Sequence, residues 1–164
     1  MTNNDYKLRN TTQDWMLQLT DRYTHAVTLT LKPYRTVMTE HGEVREKLTI
    51  YDAKANMRHF INRLNAEIFG NAAKRYGKSI AILPVLEGIR GHKFFHYHCA
   101  IGNLPESLSD AALHAKVRAA WQLTHFGNEQ IDVQRMQTTG WIGYMGKELG
   151  RGNTDALDLE NLHS

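Results

Sequence analysis

Residues 79–102 constrain the fold more than any other part of the chain. Ser79 to Glu87 and Lys93 to Gly102 are both rich in apolar and aromatic residues, and the turn Gly88-Ile89-Arg90-Gly91 separates them. Two such runs joined by a short glycine-bounded turn read as an antiparallel β-hairpin. His25 to Lys32 adds a third strand: Val27, Leu29 and Leu31 alternate with Thr28, Thr30 and Lys32, the period of a strand that buries one face. Ile131 to Met136 reads as a further short strand. The segment 34–51 is polar and charged, with at best a brief strand at Thr49, Ile50 and Tyr51.

Helical patterns fall between these runs. A short helix is expected around Gln13 to Leu19. Asp52 looks like an N-cap, and Met57, Phe60, Ile61, Leu64 and Ile68 then recur at three and four residues, the stripe of an amphipathic helix ending near Gly70 or Gly77. Ser107 or Ser109 caps a helix to about His125 that places Leu113, Val117, Ala120 and Trp121 on one face and stops at Gly127. Thr138 or Thr139 opens a last helix through Trp141, Tyr144 and Leu149 to Gly150. Strands joined by a hairpin and covered by long helices make an α+β sandwich. Without repeats or a linker, one domain is expected over residues 1–153, followed by a flexible acidic tail at 154–164.

Composition narrows the class. With 41% apolar and 23% charged residues, a chain of 164 can bury a core without covalent staples. Cys99 stands alone, which excludes an intramolecular disulfide and any zinc site built on two cysteines, so a reducing, cytoplasmic setting is expected. The first ten residues lack the apolar core of a signal peptide. The longest apolar run, Ile80 to Leu86, is seven residues with Pro84 inside it, far short of the ~20 that a membrane helix needs. No membrane partner is expected. The net charge of +3 hides an uneven distribution: residues 154–164 hold Asp155, Asp158 and Glu160 with no Lys or Arg. The rest carries 20 Lys and Arg against 14 Asp and Glu, or +6, a balance that leans toward nucleic acid.

The chemistry concentrates in two places. In Phe94-Phe95-His96-Tyr97-His98-Cys99-Ala100-Ile101, side chains two apart on a strand point the same way and stand about 6.5 to 7 Å apart at the backbone. His96 and His98 can therefore converge on one metal ion while Tyr97, Cys99 and Ile101 enter the core. Glu87 ends the preceding strand, and the hairpin returns it alongside the histidines to complete a two-His, one-carboxylate set. A slip of one residue in the pairing would turn it to the other face. Asp132, Glu148 and Asp110 are alternative carboxylates. In the last helix, Gly140, Tyr144, Lys147 and Arg151 lie within about 60° of one another, opposite Ile142, Met145 and Leu149. A phenol has a pKa of ~10 and needs a cation or an activated electrophile to act as a nucleophile at neutral pH. A metal ion and Lys147 would supply both aids at a phosphodiester, with Tyr144 attacking in line.

His96-Tyr97-His98 resembles the His-hydrophobe-His motif of the HUH single-strand endonucleases, and Tyr144-Met145-Gly146-Lys147 resembles the Tyr-x-x-Lys motif of their rolling-circle replication initiator branch. The order of a first strand, a carboxylate, the histidine pair and a tyrosine helix agrees over residues 24–150. Tyr97 is more polar than the usual middle residue, and no second tyrosine stands near Tyr144. The resemblance implies a central five-stranded antiparallel sheet with flanking helices and Mg2+ or Mn2+ at His96, His98 and Glu87. It implies that Tyr144 nicks and rejoins single-stranded or origin hairpin DNA of a plasmid, phage or other mobile element through a covalent 5'-phosphotyrosine. Lys147 would orient or neutralise the phosphate or aid the phenol, Thr28, Thr30, Lys32 and Arg151 would touch DNA, and a host helicase would be a partner.

Other readings compete. An HUH transposase or relaxase shares the same residues. Gly77-Lys78-Ser79 invites a phosphate-loop reading, but it follows a helix and opens a strand, the reverse of that motif. His96-Tyr97-His98 with Ser107 and Asp110 resembles the elements of JAMM-type zinc hydrolases with a spacing one residue too long. A non-catalytic module could hold single-stranded nucleic acid through Lys32, Arg35, Arg58, Arg63, Lys74, Arg75 and Lys78.

Overall fold

The computed structural model describes residues 3–89, 94–138, 140–146 and 153–163. In chain order the elements are helix α1 (Asn3–Gln18), strands β1 (His25–Leu31), β2 (Tyr34–Thr39) and β3 (Gly42–Lys47), helices α2 (Ile50–Phe69) and α3 (Asn71–Tyr76), strands β4 (Ala81–Glu87) and β5 (His96–Gly102), helix α4 (Asp110–Gln122), strand β6 (Gly127–Arg135) and helix α5 (Gly140–Met145). The α+β class and the β4–β5 antiparallel pairing are as the sequence predicts; of the expected turn, Arg90 and Gly91 lie outside the described residues.

Among the described residues the main sheet has four antiparallel strands in the order β4-β5-β1-β6, not the five that the resemblance implies. β2 and β3 pair only with each other. Nearly every residue of this ribbon is exposed or half-exposed, so it has no apolar face to lay on the core. The fifth position, outside β4, is partly filled by residues 153–163, most of the segment expected as a flexible tail, which pair with the strand edge at Ile82 and Val85. Ile82 and His163 exchange backbone hydrogen bonds of 2.7 and 3.0 Å, and Asp158 N–H donates to the Pro84 carbonyl at 3.1 Å. Pro84 thus turns its missing N–H toward the outer edge, where a proline costs the sheet nothing. Ala156 and Leu157 are buried against Leu83 and Val85, and Glu160 lies within ion-pair distance of Lys54 and Arg58. The acidic composition of this segment concealed its apolar contacts.

Helix boundaries shift for local reasons. Thr49 to Tyr51 open α2 instead of forming a strand: Thr49 is the N-cap, its hydroxyl accepting from Asp52 N–H at 3.1 Å while the Asp52 carboxylate accepts from Thr49 N–H at 3.0 Å. Asp52 is therefore the third residue of a capping box rather than the cap itself. Ser109 caps α4 by accepting from Ala112 N–H. Gly77 ends α3 at φ +62°, a left-handed conformation that favours glycine, so Gly77-Lys78-Ser79 is a helix stop. α1 is longer than the segment expected at 13–19. Thr138 precedes α5 as expected, whereas Thr139 and residues 147–150 lie outside the described residues.

The two faces of the sheet differ. Val27, Leu29, Leu31, Tyr97, Cys99 and Ile101 pack against α2 and α4 through Met57, Phe60, Leu64, Val117 and Trp121. Burying each large apolar side chain contributes about 1.5–3 kcal/mol, so this cluster dominates stability. On the other face, among the described residues, α1, α5 and residues 156–157 cover the β4–β5 half alone, with Met16, Ile142 and Met145 against Leu83, Val85 and Ala100. Thr28 and Thr30 of β1 and Asp132 of β6 occupy the uncovered half.

A buried polar link joins α2 to the start of β6. Asn56 donates to the Thr124 hydroxyl at 2.9 Å and accepts from Phe126 N–H at 2.9 Å. Asn56→Ala strands Phe126 N–H, while the Thr124 hydroxyl keeps the Trp121 carbonyl and Gly127 N–H, and the change is expected to cost about 1–3 kcal/mol in urea unfolding. Tyr51→Ala, at an 85% exposed residue of the same helix, should change stability by less than about 0.5 kcal/mol.

Candidate metal centre

The β4–β5 register decides the site. Glu87 pairs directly with His96, and Val85 with His98, so the carboxylate and both imidazoles share one face. The slip that would have separated them does not occur. One oxygen, Glu87 Oε2, lies 3.1 Å from His96 Nε2 and 2.8 Å from His98 Nε2. The two rings stand edge to face with centroids 4.8 Å apart. Glu87 and His98 are buried and His96 is half-buried. Among the described residues this is the group of His, Cys, Asp and Glu side chains placed to hold a metal ion, with ligand atoms within 4.8 Å of one another.

Hydrogen bonding at the far side of each ring tests whether an ion fits. His96 Nδ1 is 3.1 Å from the Phe94 carbonyl, which can only accept, so Nδ1 carries a proton. In the neutral imidazole, Nε2 then presents a lone pair to the Glu87 oxygen, and a proton or a cation must lie between them. His98 Nδ1 is 3.2 Å from the Thr28 hydroxyl. Both rings are thus held from behind with Nε2 turned toward the carboxylate, the outer support that metal-binding histidines require. Two imidazole nitrogens and one carboxylate leave positions open for solvent or substrate, and the set suits a divalent first-row ion or Mg2+.

Tyr144 stands against this group. Its ring centroid is 5.2 Å from that of His98, at 81°, and it stacks on Trp141 at 5.5 Å. Trp141 also meets His98 edge-on at 5.3 Å and donates its indole N–H to the Cys99 carbonyl at 3.0 Å. Ile142 and Met145 anchor the opposite side of α5 in the core. The role of Trp141 as the platform under Tyr144 was missed from sequence, although its spacing of three residues was visible.

The neighbouring candidates are unsuited to attack. Tyr97 and Cys99 point to the opposite face, fully buried. Burial, reinforced by Asp158, pushes the Tyr97 phenol far above its ordinary range, and the same two causes raise the Cys99 thiol. Tyr144, 47% exposed, is the accessible one.

The remaining expected residues are dispersed. Thr28 supports His98, Thr30 donates to the Gln130 carbonyl at 2.6 Å, and Lys32 is exposed just past the end of β1. Asp132 pairs across from Thr28 but accepts from Gln134 and does not join the metal group. Asp110 lies with His25 and Arg135, which removes it from any hydrolase site built on His96 and His98. Lys147, Glu148 and Arg151 lie outside the described residues. No described helix is long and apolar enough to cross a membrane. Comparison of the chain with models of known families, with curated proteins and with solved structures finds no match in any of the three.

Titration calorimetry with Mn2+ is expected to show one ion per chain. Glu87→Gln and His98→Ala should each weaken binding by at least about tenfold, and lowering the pH toward 5.5 should weaken it further because the imidazoles must be deprotonated to bind. Unchanged affinity in both variants would exclude the centre.

A second expectation concerns Asp110, whose carboxyl is held down at about 2, first by hydrogen bonds from Arg135 and then by His25. A depressed folded pKa stabilises above the unfolded value of about 3.9, and the contribution disappears as pH falls toward 2. Asp110→Asn should flatten the loss of stability between pH 4 and 2 in urea melts.

Proposed function

We propose that this chain is a metal-dependent, site-specific single-strand DNA endonuclease and strand-joining enzyme of the HUH type, a rolling-circle replication initiator of a mobile element. The observation that carries the reading is the approach of the Tyr144 ring to His98 on the face where Glu87, His96 and His98 converge. The resemblance of the histidine motif and the Tyr-x-x-Lys motif to that family supports it, as does the basic balance of residues 1–153.

Glu87, His96 and His98 would hold Mg2+ or Mn2+, which supplies positive charge to a non-bridging phosphate oxygen. The chain's own residues do the rest. Trp141 fixes the plane of the Tyr144 ring, and the short α5, anchored by Ile142 and Met145, sets its distance from the histidines. The Tyr144 oxygen forms a bond to phosphorus as the bond from phosphorus to the 3'-oxygen breaks. The phenol gives up one proton and the 3'-oxygen gains one, leaving a 5'-phosphotyrosine and a free 3'-hydroxyl. Rejoining is the reverse exchange, one ester for another, and needs no external energy source. Lys147 is assigned to the scissile phosphate by its spacing from Tyr144.

Incubation with a pool of labelled single-stranded oligonucleotides and Mn2+, followed by a denaturing gel, tests this. The wild-type chain should acquire a covalent label. Tyr144→Phe should lose both label and cleavage with little change in thermal stability, since only a hydroxyl is removed. His96→Ala should lose cleavage while keeping much of the DNA binding. Label retained in Tyr144→Phe would overturn the assignment.

A further inference from the structure

The uncovered half of the sheet ends, beside His96, in a pocket of about 180 Å³ whose walls include Thr30, Pro33, Phe94, His96, Asn128 and Gln130. Its chemistry differs from that of the metal group. Phe94 is 71% exposed, a large ring left in water two residues before a metal-ligand candidate. Phe94 lines the pocket, and its carbonyl is tied to His96 Nδ1. On β6, Asn128, Gln130, Asp132 and Gln134 follow one another at alternate positions, with no Lys or Arg among them. Asn128 spends its side-chain oxygen on Glu129 N–H. Gln130 is exposed, and its side-chain amide makes no hydrogen bond among the described residues, leaving a donor and an acceptor side by side at the pocket.

An exposed aromatic face, a free amide and the absence of Lys and Arg among the described lining residues suit a flat, uncharged heterocycle rather than an anion. The position beside His96 means that whatever such a ring is attached to reaches the metal group, as the phosphate of a nucleotide would. We propose that this pocket holds one nucleobase of a bound DNA strand, adenine by preference, with Phe94 as its stacking surface and the Gln130 amide reading its N6 and N7 edge. Phe94 and Gln130 are then specificity-determining residues. This rests on the single-stranded DNA reading above. A carboxamide matches adenine through one accepted and one donated hydrogen bond, whereas a carboxylate can only accept and matches the cytosine amino group.

The test is selection of a randomised single-stranded DNA pool by the full chain in the presence of a chelator, with the bound fraction sequenced, run beside the Mn2+ labelling assay. Both side chains are exposed, so Phe94→Ala and Gln130→Glu should fold. The wild type is expected to enrich adenine at one position, at least about fivefold over other bases. Gln130→Glu should move that same position away from adenine toward cytosine. Phe94→Ala should weaken binding by at least about fivefold. Base preferences unaltered by either variant would overturn the pocket even if the covalent label forms, which leaves the nicking reading intact. A Gln130→Glu shift without any covalent label would support the pocket and count against nicking. No retention of single-stranded DNA would overturn both.

Discussion

One carboxylate oxygen placed between two imidazole nitrogens is the constraint on which the rest of this molecule depends. Glu87 is taken out of water on the inner side of a hairpin, and a buried carboxylate without compensation is costly. The two imidazoles provide that compensation only because Glu87 pairs with His96 in the β4–β5 ladder. The register in turn is held by what lies on the other side of the same strands, where Leu86, Tyr97, Cys99 and Ile101 are locked into the core with α2 and α4. A shift of one residue would place the histidines in that core and the apolar residues over the site.

The uneven covering of the sheet follows from the same division. Residues on the β4–β5 half are apolar enough to need α1, α5 and the C-terminal segment over them. Thr28 and Thr30 of β1 and the amide and carboxylate side chains of β6 are not, and among the described residues nothing covers that half beside Glu87, His96 and His98. Tyr144 sits on the boundary, reached from the open half and held from the closed one.

Much of this was legible in the chain. Period-two alternation placed β1 and the histidine strand, and the stripe Met57, Phe60, Ile61 and Leu64 placed the main covering helix, because these patterns are local consequences of backbone geometry. The same period and the hairpin put Glu87, His96 and His98 on one face, and the structure brings the Tyr144 ring against His98. What could not be read depended on distant partners. Thr49 and Asp52 exchanged their expected roles at the start of α2. Residues 153–163 were hidden because their charges suggest solvent, while Ala156, Leu157 and Asp158 find burial only against β4 and Tyr97. The β2–β3 ribbon was obscured because a hairpin with no buried face leaves no apolar period.

Along β5, neighbouring residues serve opposite masters. His96 and His98 face the ion site, while Tyr97 between them is clamped by Asp158 through a hydrogen bond of 2.9 Å on the far side of the sheet. A substitution that removes that clamp acts on the same strand that carries both imidazoles. Core packing and the candidate ion site therefore draw on the same seven residues, and an evolving lineage cannot alter one there without touching the other.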